Sequence, residues 1–148
     1  MKELVVSSPV FGRNMPIPLK YSCHGENVNP PLKIDGIPVE ARSLVLIVED
    51  PDASMGLWIH WVVWNIPTTG TINEDSIPGT EGVTTSKKRG YGGPCPPSGT
   101  HRYLFKVYAL DTVLDLGGNS QKRDVEKAME SHILAKGELV GLYSRRTT

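Results

Sequence analysis

Glycine and proline leave this chain little room for long helices. The 148 residues include 15 Gly and 12 Pro, spread along the whole length instead of gathered in one linker, so the backbone is repeatedly interrupted by residues that turn or terminate regular structure. Between these interruptions lie apolar segments of strand length. Ser43-Leu-Val-Leu-Ile-Val48 is a continuous apolar run rich in β-branched residues and ended by Asp50-Pro51, the pattern of a strand buried on both faces. Trp58-Ile-His-Trp-Val-Val-Trp64 has the same character. In His101 to Ala109 the residues alternate, with His101, Tyr103, Phe105 and Val107 on one face and Arg102, Leu104, Lys106 and Tyr108 on the other, which predicts a third strand.

One segment carries a helical period. Asp124 to Lys136 aligns Val125, Ala128, Met129, His132 and Ile133 on one stripe, with Ser120 as the expected N-cap and Gly137 as the expected C-terminal cap. Glu138 to Tyr143 then alternates as a closing strand. Strands at short spacing, frequent turns and one late helix predict a mainly β chain, an antiparallel or mixed two-sheet β-sandwich with a C-terminal helix. A chain of this length buries roughly 70% of the surface exposed on unfolding, enough for a single domain over residues 1–148.

Charge excludes one class of function. Sixteen Lys+Arg balance sixteen Asp+Glu, and the basic runs Lys87-Lys88-Arg89 and Arg145-Arg146 read as solvated loop and tail, so no nucleic-acid partner is expected. The longest apolar stretch, Leu44 to Val48, is far short of the roughly 20 residues that span a bilayer, and Met1 to Ser7 lacks the apolar core of a secretory signal. A cytoplasmic location without integral membrane association is therefore expected. Cys23 and Cys95 are too few for a disulfide scaffold or an all-cysteine zinc site, and whether they pair with each other is open at this level.

Three groups of residues carry possible chemistry. In Glu49-Asp50-Pro51-Asp52-Ala53, at the end of a buried strand, an extended backbone would project Asp50 and Asp52 to one side, where close carboxylates share a proton. A turn in which the carboxylates cap nearby amides is the alternative. His60 stands among Trp58, Trp61 and Trp64 and needs a partner for a ring nitrogen whether its role is structural or functional. Arg89-Gly-Tyr-Gly-Gly-Pro-Cys-Pro-Pro-Ser-Gly-Thr-His-Arg-Tyr103 offers glycine amides that can form an anion-binding nest and delivers His101 and Tyr103 to the start of a strand. Together these residues suit a small polar pocket. They could donate to an oxyanion or hold a divalent metal for a hydrolase, although no His-x-His or His-x-x-x-His spacing supports the metal. Ser98 and Cys95 lie near His101 without a nucleophile-elbow pattern.

At these residues the chain resembles the phosphatidylethanolamine-binding protein family, also called Raf kinase inhibitor proteins, in its short bacterial and archaeal branch. The resemblance is carried by Ser7-Ser-Pro-Val-Phe11, Tyr21 to Leu32, Asp50-Pro-Asp-Ala53, Trp58 to Pro67, Gly90-Tyr-Gly-Gly-Pro-Cys-Pro-Pro97, His101-Arg-Tyr103, Tyr108 to Asp111 and Ala128 to Leu134. It implies a β-sandwich with a small anion pocket near one end, holding phosphate, acetate or a phosphorylated head group. The implied ligand-binding residues are Asp50, Asp52, His60, His101 and Tyr103, with Gly92, Gly93 and Pro94 at the rim and Met129 and His132 brought near by the C-terminal helix.

The resemblance further implies a noncatalytic regulatory protein, without cofactor or metal, that inhibits a partner kinase, or a serine protease through a surface loop. Relatives in this branch can form homodimers, and the three tryptophans fit either such an interface or a core. Two departures stand out: His24 replaces the family's usual Asp in Cys-Asp-Gly-Glu, and Ser54 replaces the usual Pro after Asp-Pro-Asp-Ala. The interval from Cys95 to His101 is short.

Overall fold

Strand Ser43–Asp50 is buried along its entire length, and the reason organises the molecule. Its alternate side chains serve two cores: Leu44, Leu46 and Val48 pack into one, Val45 and Ile47 into the other. The computed structural model describes residues 2–145. Arg145 is exposed coil there, and Arg146 lies outside the described residues.

In chain order the strands are β1 (Lys2–Glu3), β2 (Val5–Ser7), β3 (Met15–Pro16), β4 (Leu32–Asp35), β5 (Ser43–Asp50), β6 (Trp58–Ile66), β7 (Thr71–Ile72), β8 (Thr80–Glu81), β9 (Thr100–Leu110) and β10 (Ile133–Ser144), with helix α1 (Lys122–Met129) before β10. The large sheet runs β1-β10-β9-β5-β6-β8, with β3 also paired to β10, and the small sheet runs β2-β4-β7. β1 and β3 pair parallel to β10 and the long central strands pair antiparallel, giving the expected mixed sandwich.

The large sheet is the middle layer. Its inner face meets the small sheet through Trp61, Val63, Phe105, Val107 and Leu139. Its outer face is covered by α1 and the Leu114 segment, which close over Val62, Trp64 and Leu110. Trp61 and Trp64 are fully buried, so they belong to these cores.

The helix is shorter than its periodicity predicts. It ends at Met129, Ser131 adopts φ 68°, and Ile133 onward pairs with β9 from Ile133↔Leu110 to Ser144↔Thr100. The stripe Val125, Ala128, Met129 is helical as expected, but His132 and Ile133 leave it because ladder pairing supersedes another turn. Gly137 is therefore a strand residue, where a Cβ would meet the carbonyl oxygen of Leu4, between β1 and β2, at 2.2 Å. The N-terminal cap also differs. Asp124 accepts a hydrogen bond from the Gln121 N–H, while the Ser120 carbonyl is engaged by the Val83 amide.

α1 is anchored to the sheet by charge. Glu49 is buried, with Lys106 Nζ 3.0 Å from one carboxylate oxygen and Lys122 Nζ of α1 2.7 Å from the other. The Lys122 contact is an ion pair without an aligned hydrogen bond. Burial alone would raise the Glu49 pKa; the two lysines overcome it and hold the group below its ordinary value. A depressed folded-state pKa contributes stability above the unfolded value, which is lost as pH falls through the folded one. Glu49→Gln should therefore destabilise the fold by about 3 kcal/mol at neutral pH, as for removal of one partner from a buried ion pair. Urea denaturation should show that deficit shrinking on acidification below the ordinary carboxylate range.

Candidate ligand-binding site

The Asp50-Pro51-Asp52 element forms a turn, with Asp50 Oδ1 accepting the Asp52 backbone N–H at 2.7 Å. This is the turn in which a carboxylate caps a nearby amide, and the two carboxylates consequently go to different partners. Asp50 Oδ2 accepts from His101 Nδ1 at 2.7 Å. Asp52 is gripped by Arg102, accepting from Nε at 2.9 Å, a terminal guanidinium nitrogen at 2.8 Å and the backbone N–H at 2.9 Å. The Arg102 hydrogen bonds hold the Asp52 carboxyl down to about 2. Asp52 thus fixes the start of β9 against the β5 turn and sets His101 beside Asp50.

His60 owes its position to a break in strand pairing. Val48 pairs with Trp61 and the next residue, Glu49, pairs with Ile59, so His60 is the extra residue of a β-bulge, a device that re-aims a side chain. Freed from the ladder, its carbonyl accepts the Gly92 N–H at 3.0 Å, while its Nδ1 lies 2.8 Å from the Gly92 carbonyl. That carbonyl can only accept, so Nδ1 carries the proton and Nε2 keeps the lone pair. Burial pushes the His60 pKa below its ordinary value, so the ring is neutral at pH 7. Tyr103, on the inward face of β9, meets the His60 ring edge-on at 5.3 Å and lies parallel to His101 at 6.5 Å between centroids. Its side chain is 1% exposed and its hydroxyl has no hydrogen-bond partner among the described residues. Burial first, and the Asp50 charge second, raise its pKa well above that of an ordinary phenol.

The glycine-rich loop shapes this site without offering a nest. The Gly92 N–H is spent on His60, and the Gly93 N–H donates to Asn27 Oδ1 at 2.7 Å. Gly93 is required by close approach, since a Cβ there would meet the Tyr21 carbonyl oxygen at 2.2 Å. Pro94 is buried, and its carbonyl accepts the Cys23 N–H. Cys23 and Cys95 form a disulfide across the same seam, joining positions 72 residues apart. Tyr91 completes the seam, donating its hydroxyl to the Tyr21 carbonyl and packing edge-on against Trp61.

Asp50, His60, Gly92, Gly93, His101 and Tyr103 all line one cavity of about 580 Å³. Asp52 and Pro94 support it from outside its lining. Met129 and His132 do not reach it: Met129 is buried in the core under α1, and His132 pairs with Asp111 at 2.8 Å. His132 precedes the end of β10 that pairs with Leu110, whereas His101 sits at the other end of β9, about 30 Å away at strand rise. The physical reason is that α1 packs on the outer face of the large sheet and leads into the end of β10 farthest from His101. The lining also includes the apolar side chains of Met55, Trp58, Ile59, Pro96 and Pro97, together with Ser54, Lys88 and Arg89. Asn27, Tyr91 and this apolar lining were not singled out from sequence. Asn27 carried one usable signal, a polar residue between Gly-Glu and Val-Asn-Pro, and it adopts φ 60°.

The model of the phosphatidylethanolamine-binding protein (PEBP) family matches residues 7–144, and the chain belongs to that family. It is 51% identical over 137 residues to a UPF0098 protein of Methanothermobacter thermautotrophicus, covering 87% of this chain and 91% of the relative. Among solved structures it is similar to the putative PEBP homologue CT736 of Chlamydia trachomatis, with TM-score 0.94, 42% identity and coverage of 99% and 100% of the two chains. Escherichia coli YbcL, a member of the mammalian PEBP family, aligns with TM-score 0.87 and 29% identity over 97% and 99% of the chains. A carboxypeptidase Y inhibitor solved with its cognate proteinase shares the fold, at TM-score 0.55 and 17% identity over 97% and 83% of the chains.

The seam makes a testable demand. Gly93→Ala should cost about 1–3 kcal/mol through overpacking, whereas Gly117→Ala, where an added Cβ meets nothing within 4 Å, should be near neutral. Thermal denaturation of the two variants checks the contrast.

Proposed function

We propose that the chain is a noncatalytic regulatory protein whose cavity binds a small anion or a phosphorylated head group. The observation that carries this reading is the buried Tyr103 hydroxyl, which makes no aligned hydrogen bond among the described residues and stands beside two histidines and the Asp50 carboxylate. A buried hydroxyl without a partner costs free energy that a ligand oxygen would offset. An oxyanion oxygen accepts from Tyr103. Its protonated oxygen donates to His60 Nε2, or the proton moves to that nitrogen. Asp50 directs its charge to His101, so the carboxylate opposes the anion less and the other nitrogen of His101 faces the ligand. The apolar lining suits an organic group attached to the phosphate.

Catalysis has less support. Cys95 is disulfide-bonded and offers no thiolate, and the carboxylates are committed to His101 and Arg102. Regulation would proceed by inhibition of a partner protein kinase or serine protease. The protease reading has its own observation, the exposed loop Ser54–Leu57 with Met55 89% exposed, of the kind that enters a protease cleft. No helix among the described residues is long and apolar enough to cross a membrane. A cytoplasmic setting belongs to the same proposal.

Calorimetric titration of the metal-stripped protein with phosphate and O-phosphoethanolamine tests the reading. Binding should need no added metal, and Tyr103→Phe should weaken it about tenfold, the loss of one hydrogen bond to a charged group. Binding that is absent, or present only with a divalent ion, contradicts the proposal. Affinity should also fall with pH. The free His60 pKa lies below its ordinary value and rises when a bound anion holds the proton, so affinity is greatest below the free value and declines up to the bound one. Titrations in a series of buffers should show that decline in the wild type and its loss in His60→Ala.

A further inference from the structure

Beside the cavity lies a second set of donors that the anion site does not use. Cys23, His24 and Cys95 each offer one ligand atom, and these atoms all lie within 4.8 Å of one another. His24 Nδ1 is 3.8 Å from Cys23 Sγ and 2.8 Å from the Tyr143 hydroxyl, which itself donates to Ser22 Oγ. Because the Tyr143 proton goes to Ser22 Oγ, His24 Nδ1 donates in this contact, which holds the imidazole beside the sulfurs in the oxidised protein; a metal would take that nitrogen in exchange for the Tyr143 hydroxyl, with the ring proton moving to Nε2. A tetrahedral zinc ion with bonds of about 2.3 Å to sulfur and about 2.0 Å to nitrogen sets its donors about 3.5–3.8 Å apart. The spacing of Nδ1 from Cys23 Sγ already fits; the two sulfurs must separate and Nδ1 must exchange the Tyr143 hydroxyl for the ion. Cys23 is half-buried and His24 and Cys95 are exposed, so an ion can enter from solvent.

We propose that, with its disulfide reduced, this chain binds one Zn²⁺ through Cys23, Cys95 and His24. A dithiol reduces the bond, leaving two cysteine thiols and the oxidised dithiol. Zn²⁺ then displaces two protons as both thiols coordinate as thiolates, and His24 supplies the third ligand. Two soft sulfurs and an imidazole select Zn²⁺ over Mg²⁺ or Ca²⁺. Three protein ligands leave a fourth position for water, and since both cysteines line the cavity, that position is beside the ligand-binding site. The ligands stay assembled after reduction because other bonds cross the same seam: the Cys23 N–H to the Pro94 carbonyl, Gly93 to Asn27 and Tyr91 to Tyr21.

Cobalt titration of the full chain tests this, using Co²⁺ as a spectroscopic substitute and a phosphine as reductant, with phosphine oxide as its product. The reduced protein should develop an intense thiolate-to-cobalt charge-transfer band saturating at one equivalent and displaced by Zn²⁺. The oxidised protein and reduced Cys95→Ser should show no such band, and His24→Ala should bind about tenfold more weakly or worse. Near-ultraviolet circular dichroism of the tryptophans reports whether the reduced chain keeps its fold. Absence of the band in folded reduced protein, an unchanged affinity in His24→Ala, or loss of native dichroism on reduction would each overturn the proposal.

Discussion

The double attachment of His60 to Gly92 is the contact on which the site depends. A bulge takes the His60 carbonyl out of the sheet and gives it to the Gly92 amide, while the imidazole returns a proton to the Gly92 carbonyl. One residue therefore satisfies its own buried ring nitrogen, fixes its own tautomer and pins the glycine-rich loop over the end of the large sheet. Without the bulge, His60 would be a ladder residue and the loop would have no register against β6.

The remaining parts of the cavity are arranged around that contact by charge and by close approach. Arg102 occupies Asp52 so that Asp50 is free to orient His101. Gly93 lets the loop approach the Tyr21 carbonyl, and Asn27, Tyr91 and the disulfide hold the two loops together. Beneath them, the large sheet is stiffened by cores on both faces, and dense packing of the Tyr103 ring in one of them fixes its hydroxyl at the cavity wall.

Much of this was legible in the sequence because apolar patterning reports burial directly. The two-faced burial of β5, the inward row of β9 and the mixed sandwich follow from composition and alternation. What patterning does not encode is partner choice. The boundary of α1 is not legible, because Ile133 and Ala135 satisfy a strand period as well as Val125 and Met129 satisfy a helical one, and pairing to β9 decides between them. Met129 and His132 lie away from the site because α1 packs on the outer face of the large sheet, at the Leu110 end of β9. Asp50 and Asp52 were recognised as important, but their separation depended on Arg102, whose alternation had placed it merely on the outer face. The bulge at His60 leaves no compositional trace.

The most direct test of this account is the protonation pattern of the His60 ring, read by long-range proton–nitrogen NMR correlation at neutral pH with and without phosphate. The structure requires a neutral ring with the proton on Nδ1, and phosphate should shift the Nε2 resonance alone among the His60 nitrogens by a large amount. A proton on Nε2 in the free protein, or an Nε2 resonance indifferent to phosphate, would contradict it.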